Sequence, residues 1–339
     1  MSTIMQGFPV PREDRVPRQE WDRAPWNRWS FQHIREILPT IEVWRGSSPV
    51  WTLEQRNVEL GGIEIGVSES FHSAENPTIG DWLEGSYTDG FIVIHKGTIV
   101  YERYMNEMQP RSLHLSQSMA KSITASVAGI LIHKGLLDPE ERVESYLPEL
   151  SVTAWKGAKL QHVMDMTTGV HYVEDYEAPD SDIATTDIVS GWKLAANGYK
   201  GPTCVWEQIL MLTQGVREHG ALFQYRSIET DVLAHCMERV SQAPLADLIS
   251  QELWQPLGCE ESACFTVDSA GYPLADGGFN ATLRDYARFG LMMLQKGSGN
   301  GKQIIPAAWI EDIHNANPDL FNSPYTDATP NGAYRNQFW

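Results

Sequence analysis

The chain is poor in cysteine, in lysine and in long apolar runs, and each shortage excludes something. Its four cysteines, Cys204, Cys236, Cys259 and Cys264, are scattered through 339 residues. None forms a C-x-x-C pair, and no His/Cys cluster has metal-ligand spacing. Free thiols in a reducing compartment are the expectation, with a single disulfide as the alternative. Lysine and arginine total 26 against 44 acidic residues, giving a net charge of −18. Such a chain is disfavoured as a partner of nucleic acid or of anionic lipid. No apolar run is long enough for a signal peptide or a membrane span. A cytoplasmic protein acting on a small molecule is expected, with no membrane or nucleic-acid partner and a homodimer left open. No residue pattern implies a metal, nucleotide or flavin, so the expected cofactor is none.

What is present reads as α+β. Residues 1–30 form an irregular arm carrying Arg12, Arg15, Arg18 and Arg23, and Trp21, Trp26 and Trp29 should pack it onto the body. Phe31 to Leu38 reads as a short helix ended by Pro39. Gly90–His95 and Thr98–Arg103 flank Lys96-Gly97 and predict a β-hairpin. Helices are predicted from Ser118 to Lys134, closed by Gly135, and over Ile228–Val240, Leu245–Leu253 and Thr282–Leu294. Gly297–Gly301 reads as a surface loop, and Gly332–Trp339 as the start of a strand. Early strands, a helical middle and returning strands predict one sheet shared by both ends of the chain, with a mainly helical second region.

The candidate chemistry starts at Ser118-Met119-Ala120-Lys121. A lysine three residues after a serine lies on the same helix face, one turn on. A serine hydroxyl is a weak nucleophile until a neighbour takes its proton. A lysine in a dry pocket can do so if burial lowers its pKa toward neutrality. Free N–H groups at the helix start can help hold an oxyanion. The pattern alone is weak, since chance gives about 0.6 matches in a chain of this composition. A second match, Ser190-Gly191-Trp192-Lys193, exists. Only Ser118 is followed by apolar positions at helical spacing, Ile123, Val127, Ile130 and Leu131. Ser118 is therefore the expected nucleophile.

About a hundred residues later Gln224-Tyr225-Arg226-Ser227 stands before a helix, and Tyr225 is a candidate phenolic acid/base. Together with Gly135-Leu-Leu-Asp138, Met166-Thr-Thr-Gly169 and the run Gly277–Gly290, these boxes resemble the penicillin-recognising serine hydrolases of the class C β-lactamase fold. The resemblance runs from about residue 85 to 339 and leaves 1–84 as an N-terminal arm and irregular segment. It is closest to the 6-aminohexanoate-dimer hydrolase branch, where Val173-Glu-Asp-Tyr176 and the Trp/Arg-rich arm also look familiar. It implies a β-lactamase/transpeptidase-like fold, with an antiparallel sheet flanked by helices beside a mainly helical domain. It also implies an acyl-enzyme on Ser118, with Lys121 and Tyr225 moving protons as a coupled pair. Tyr176 would hydrogen-bond the substrate amide, although loop packing explains it equally well. Asp187 would face a substrate ammonium, although a solvated loop acid is the plainer reading. His171 reads as a surface or capping residue.

Two departures stand out. Where the family has Tyr-x-Asn, Ser227 replaces the asparagine. That suits small linear amides of the 6-aminohexanoate-oligomer type, or esters, better than β-lactams. The third box of the family, Lys-Thr-Gly or His-x-Gly on a late strand, is not found after Ser227; Lys296-Gly297-Ser298 falls in the expected loop. The expectation is a partial chain lacking the last strands of its sheet, poorly soluble or weakly active by itself. The alternatives are a carboxylesterase, a β-lactamase or D-alanyl-D-alanine peptidase, or an inactive truncated relative.

Overall fold

A computed structural model describes residues 3–66 and 77–339. Its strands, in chain order, are β1 (Thr40–Val43), β2 (Glu54–Gln55), β3 (Gly90–His95), β4 (Thr98–Tyr104), β5 (His114–Leu115), β6 (Ala263–Thr266), β7 (Phe279–Ala281), β8 (Ser298–Gly299) and β9 (Lys302–Gln303). The main sheet is antiparallel in the order β1-β6-β7-β5. A second sheet has the order β2-β4-β3, with β2 parallel to β4. The predicted hairpin is β3–β4. Its turn places Lys96 and Gly97 at φ of 52° and 81°, the paired left-handed geometry that matches strand twist.

The helices that build the site are α1 (Met119–His133), α2 (Leu160–Met164), α3 (Asp182–Val189), α4 (Val205–Met211), α5 (Ile228–Ser241), α6 (Leu245–Ile249), α7 (Leu283–Leu294) and α8 (Ala307–His314). Every residue of α1 from Ile123 to Leu131 is buried. A helix apolar all round belongs in the middle of a molecule, and α1 packs on α5 and α6. Gly129 lets the Trp309 ring of α8 lie directly on the α1 backbone, where a Cβ would collide with it. At the other end of α5, the fully buried Arg226 guanidinium pairs with Glu229 at 2.7 Å and donates to the carbonyls of Val170 at 2.7 Å and Thr168 at 2.5 Å. This fastens the Met166–Val170 segment to the start of α5.

Several expectations need correction. The helix of Phe31–Leu38 is confined to Ile34–Ile37. Leu245–Leu253 is α-helical only to Ile249, then widens to a π-turn over Ser250–Trp254. The Gly297–Gly301 loop is the β8–β9 hairpin. Gly332–Trp339 does not start a strand. Asn336 and Gln337 take φ of 52° and 66°, and Arg335 pairs back onto Phe338. Side-chain bonds explain that turn: the Gln337 amide donates to the carbonyls of Val163 and Met164, both at 3.1 Å, and accepts from Thr230 at 2.8 Å. Residues 1–84 do more than form an arm, because β1 is an edge strand of the main sheet. All four cysteines are buried and free.

Candidate active site

Ser118 stands at the N-cap of α1, exposed, while Lys121 one turn on is buried. The Lys121 ammonium donates to Ser118 Oγ at 2.9 Å and to the Asp276 carbonyl at 2.7 Å. It also lies 5.2 Å from the centre of the Tyr225 ring. Three segments distant in the sequence therefore meet on one cation. Burial opposes the charge of Lys121, but Asp276, Tyr225 and Glu174 outweigh it and hold its pKa above the ordinary lysine value. The expectation that burial brings this lysine toward neutrality runs against that direction, because the pocket is acidic as well as dry.

The acids around it were not identified in the sequence. Asp276 lies immediately before Gly277, and it is the Asp276 main-chain oxygen that meets Lys121. Burial pushes the Asp276 carboxyl up, Lys121 pulls it down and Glu174 adds to the rise. Asp231 on α5 sits beneath; burial first, then the Asp276 charge, drive it well above the usual range. Its Oδ1 accepts the Ala275 N–H at 3.0 Å. Thr124 of α1 donates to the Ala275 carbonyl at 3.4 Å. Residue 275 is thus gripped from two helices, and the Asp276 carbonyl is aimed by that grip.

Glu174 gathers the remaining candidates. It accepts the Ser227 N–H and the Ser227 hydroxyl, each at 2.6 Å, and the Tyr176 hydroxyl at 2.6 Å. Ser227 is buried, and its hydroxyl is already committed. Tyr176 is 60% exposed. Burial and then the Glu174 carboxylate push its phenol pKa up, so it remains a hydrogen donor. Tyr225 is held through its own N–H, which donates to the Tyr325 hydroxyl at 2.9 Å. Its ring stacks on Trp339 with centroids 5.4 Å apart.

Asp187 lies on α3, not in a loop, and is half-buried. Burial, with Asp22 adding and Lys193 opposing, pushes its carboxyl up to about 7. The structure does not join it by a hydrogen bond to the other candidates. The second Ser-x-x-Lys match fails as a pair: the buried Ser190 hydroxyl donates to the Asp187 carbonyl, and Lys193 is paired with Asp22. His171 is half-buried, and its N–H donates to the Gln214 carbonyl. Lys296 is exposed beside the β8–β9 hairpin.

The Beta-lactamase family model matches residues 85–323. A 6-aminohexanoate-dimer hydrolase of Paenarthrobacter ureafaciens is 33% identical over 326 residues, covering 94% of this chain and 78% of that protein. A solved Bacillus anthracis structure, a candidate 6-aminohexanoate-dimer hydrolase, is 29% identical with a TM-score of 0.85, over 96% of this chain and 83% of that one. The fold alone is shared with EstCE1, a hydrolase with promiscuous acyltransferase activity, at 17% identity and a TM-score of 0.55 over 73% of this chain and 76% of that one. The chain belongs to the beta-lactamase family and is a serine hydrolase of that fold. Among the described residues no helix is long and apolar enough to cross a membrane.

Glu174 is the acceptor for three donors, two of them on a buried residue. Glu174→Ala should lower the unfolding free energy by about 1–3 kcal/mol through the stranded Ser227 groups. Ser227→Ala should cost less, because the acceptor keeps two donors. Urea unfolding of both variants checks the order, and equal or reversed losses would contradict it.

Proposed function

We propose that this beta-lactamase-family hydrolase cleaves small linear amides of the 6-aminohexanoate-oligomer type through an acyl-enzyme on Ser118. The observation that carries the reading is an exposed serine hydroxyl bonded at 2.9 Å to a buried lysine that is itself held by the Asp276 carbonyl at 2.7 Å. In the proposed step Lys121, hydrogen-bonded to Ser118 Oγ, steers the serine proton, and Tyr225, entering as phenolate, accepts it. Ser118 Oγ attacks the amide carbonyl carbon as its proton passes to Tyr225. Collapse of the tetrahedral species breaks the C–N bond, and Tyr225 returns the proton to the departing amine. Water then attacks the ester carbonyl as its proton passes to Tyr225; collapse breaks the C–O bond to Ser118, Tyr225 returns that proton to Ser118 Oγ, and the acid leaves. The Ala120 and Lys121 N–H groups are spent on the Gln117 and Ser118 carbonyls, so the Ser118 N–H at the helix start is the donor proposed for the developing oxyanion. Tyr176, already a donor, can turn from Glu174 to the substrate amide, and Asp187 can face its ammonium. Ser227 would act indirectly, by holding Glu174.

Carboxylester cleavage stands second. The Ser227 hydroxyl is already donated to Glu174 and offers no amide-like pair of contacts to a substrate. In either case residues 85–339 carry the chemistry and 1–84 complete the sheet. The four buried free cysteines and the acidic composition support a cytoplasmic location.

Incubation with a fluorophosphonate and with 6-aminohexanoate dimer tests the reading. One adduct by intact mass and release of monomer are expected from the wild type, and neither from Ser118→Ala. Ester turnover without dimer hydrolysis would favour the second reading; an adduct surviving in Ser118→Ala would sink both.

The acid on α3 adds a pH dependence. With its carboxyl pushed up to about 7, Asp187 is neutral below that pH and charged above it. KM for an ammonium-bearing amide should therefore fall, by up to about tenfold, as pH rises from 6 to 8. Asp187→Asn should flatten that slope, and a wild-type KM constant over this range would contradict the assignment.

A further inference from the structure

Neither the N-terminal arm nor the second Ser-x-x-Lys match takes part in chemistry at Ser118, yet the two meet. Arg18 donates through Nη1 to the Trp192 carbonyl at 2.6 Å and through Nη2 to the Gly191 carbonyl. The indole N–H of Trp21, itself fully buried, donates to the same Trp192 carbonyl at 2.8 Å. Gln19 exchanges two hydrogen bonds with the Leu194 main chain, at 2.8 and 3.1 Å. Lys193 donates to the Gln19 carbonyl at 2.8 Å and pairs with Asp22. The arm thus holds four successive residues, 191–194.

The Trp192 side chain spans from this clamp to the site. Its ring meets Trp21 edge-on at 5.2 Å, and its N–H donates to Thr266 of β6 at 3.0 Å. The far tip of the ring lies against Gly277: a Cβ there would be 3.5 Å from Trp192 Cη2 and 4.0 Å from Gln117 Oε1. Gly277 follows the residue whose carbonyl holds Lys121, and Gln117 precedes Ser118. The ring is therefore fixed at its backbone by the arm, and its tip ends beside Gly277, next to the residue whose carbonyl holds Lys121.

We propose that Arg18 and Trp21 are positioning residues: the arm sets the Trp192 ring as a wall of the acyl pocket and so governs which acyl-chain length the site accepts. The proposal rests on the acyl-enzyme reading at Ser118. The clamp is directional. Three N–H donors converge on two adjacent carbonyls, so the segment cannot rotate about the arm without losing charge-assisted bonds. A wall displaced by a fraction of an ångström changes the fit of a chain more than it changes the chemistry at the carbonyl.

The test compares Arg18→Ala, Arg18→Lys and Trp21→Phe with the wild type. Trp21→Phe keeps an aromatic ring and removes one donor, which guards against a variant that merely fails to fold. The readouts are KM for 6-aminohexanoate dimer, the ratio of kcat/KM for p-nitrophenyl hexanoate and acetate, the fluorophosphonate labelling rate at Ser118, and Tm. In Arg18→Ala, KM should rise and the hexanoate preference should fall, each by about tenfold, with the labelling rate unchanged. Trp21→Phe should move the same way by less, and Arg18→Lys should recover part of the loss. A lowered Tm with KM and the chain-length ratio at wild-type values would overturn the proposal and leave the arm a structural brace. Wild-type protein that does not label at Ser118 would instead overturn the reading on which the proposal rests.

Discussion

The site depends on one desolvated cation. An unpaired ammonium out of water costs several kcal/mol, and the Lys121 charge is met by a main-chain carbonyl, a serine oxygen and a set of acids from three separate segments. That requirement ties α1 to the turn before β7 and to the loop carrying Glu174. Remove any one of these and the charge loses a partner that water cannot replace. The same requirement shapes the proposed chemistry, in which Lys121 steers the serine proton and the neighbouring Tyr225 carries it.

The supports around this cation are rigid elements rather than loops left to themselves. Residue 275 is gripped by Asp231 of α5 and Thr124 of α1. Tyr225 is anchored through Tyr325 and stacked on Trp339, while Arg226 beside it bolts the 166–170 segment to α5. Gly169 belongs to that segment because a Cβ would overlap the Arg217 carbonyl. Ser118 stays open to solvent at the N-cap of α1, as the proposed nucleophile must. The N-terminal arm reaches the same place from outside, through Trp192.

Much of this was legible in the sequence where the signal is local. The Ser118–Lys121 spacing, the small and apolar residues of α1, the Lys96-Gly97 turn and the amphipathic α7 each follow from short-range geometry. What was not legible depends on contacts between distant segments. Asp276 acts through a main-chain oxygen, which residue type does not reveal. Glu174 collects donors from Tyr176 and from Ser227, fifty-three residues away. The direction of the Lys121 shift could not be read from burial alone, because it is set by acids at 174 and 276. The segment after Gly332 has strand-like composition, but the Gln337 amide finds the carbonyls of α2 and turns the chain instead. Nor does the residue pattern of the arm say that it would settle on 191–194.

The charge of Lys121 is the claim on which the rest turns, and it can be observed directly. Protein carrying 13C,15N-labelled lysine, with the Lys121 signal assigned by its loss in Lys121→Arg, would be titrated while the Nζ and Cε shifts are followed by NMR. The account predicts an ammonium signal that persists through neutral pH and up to about 10, the ordinary lysine value. A neutral-amine signal already present at pH 7 would contradict it and return the role of base to Lys121.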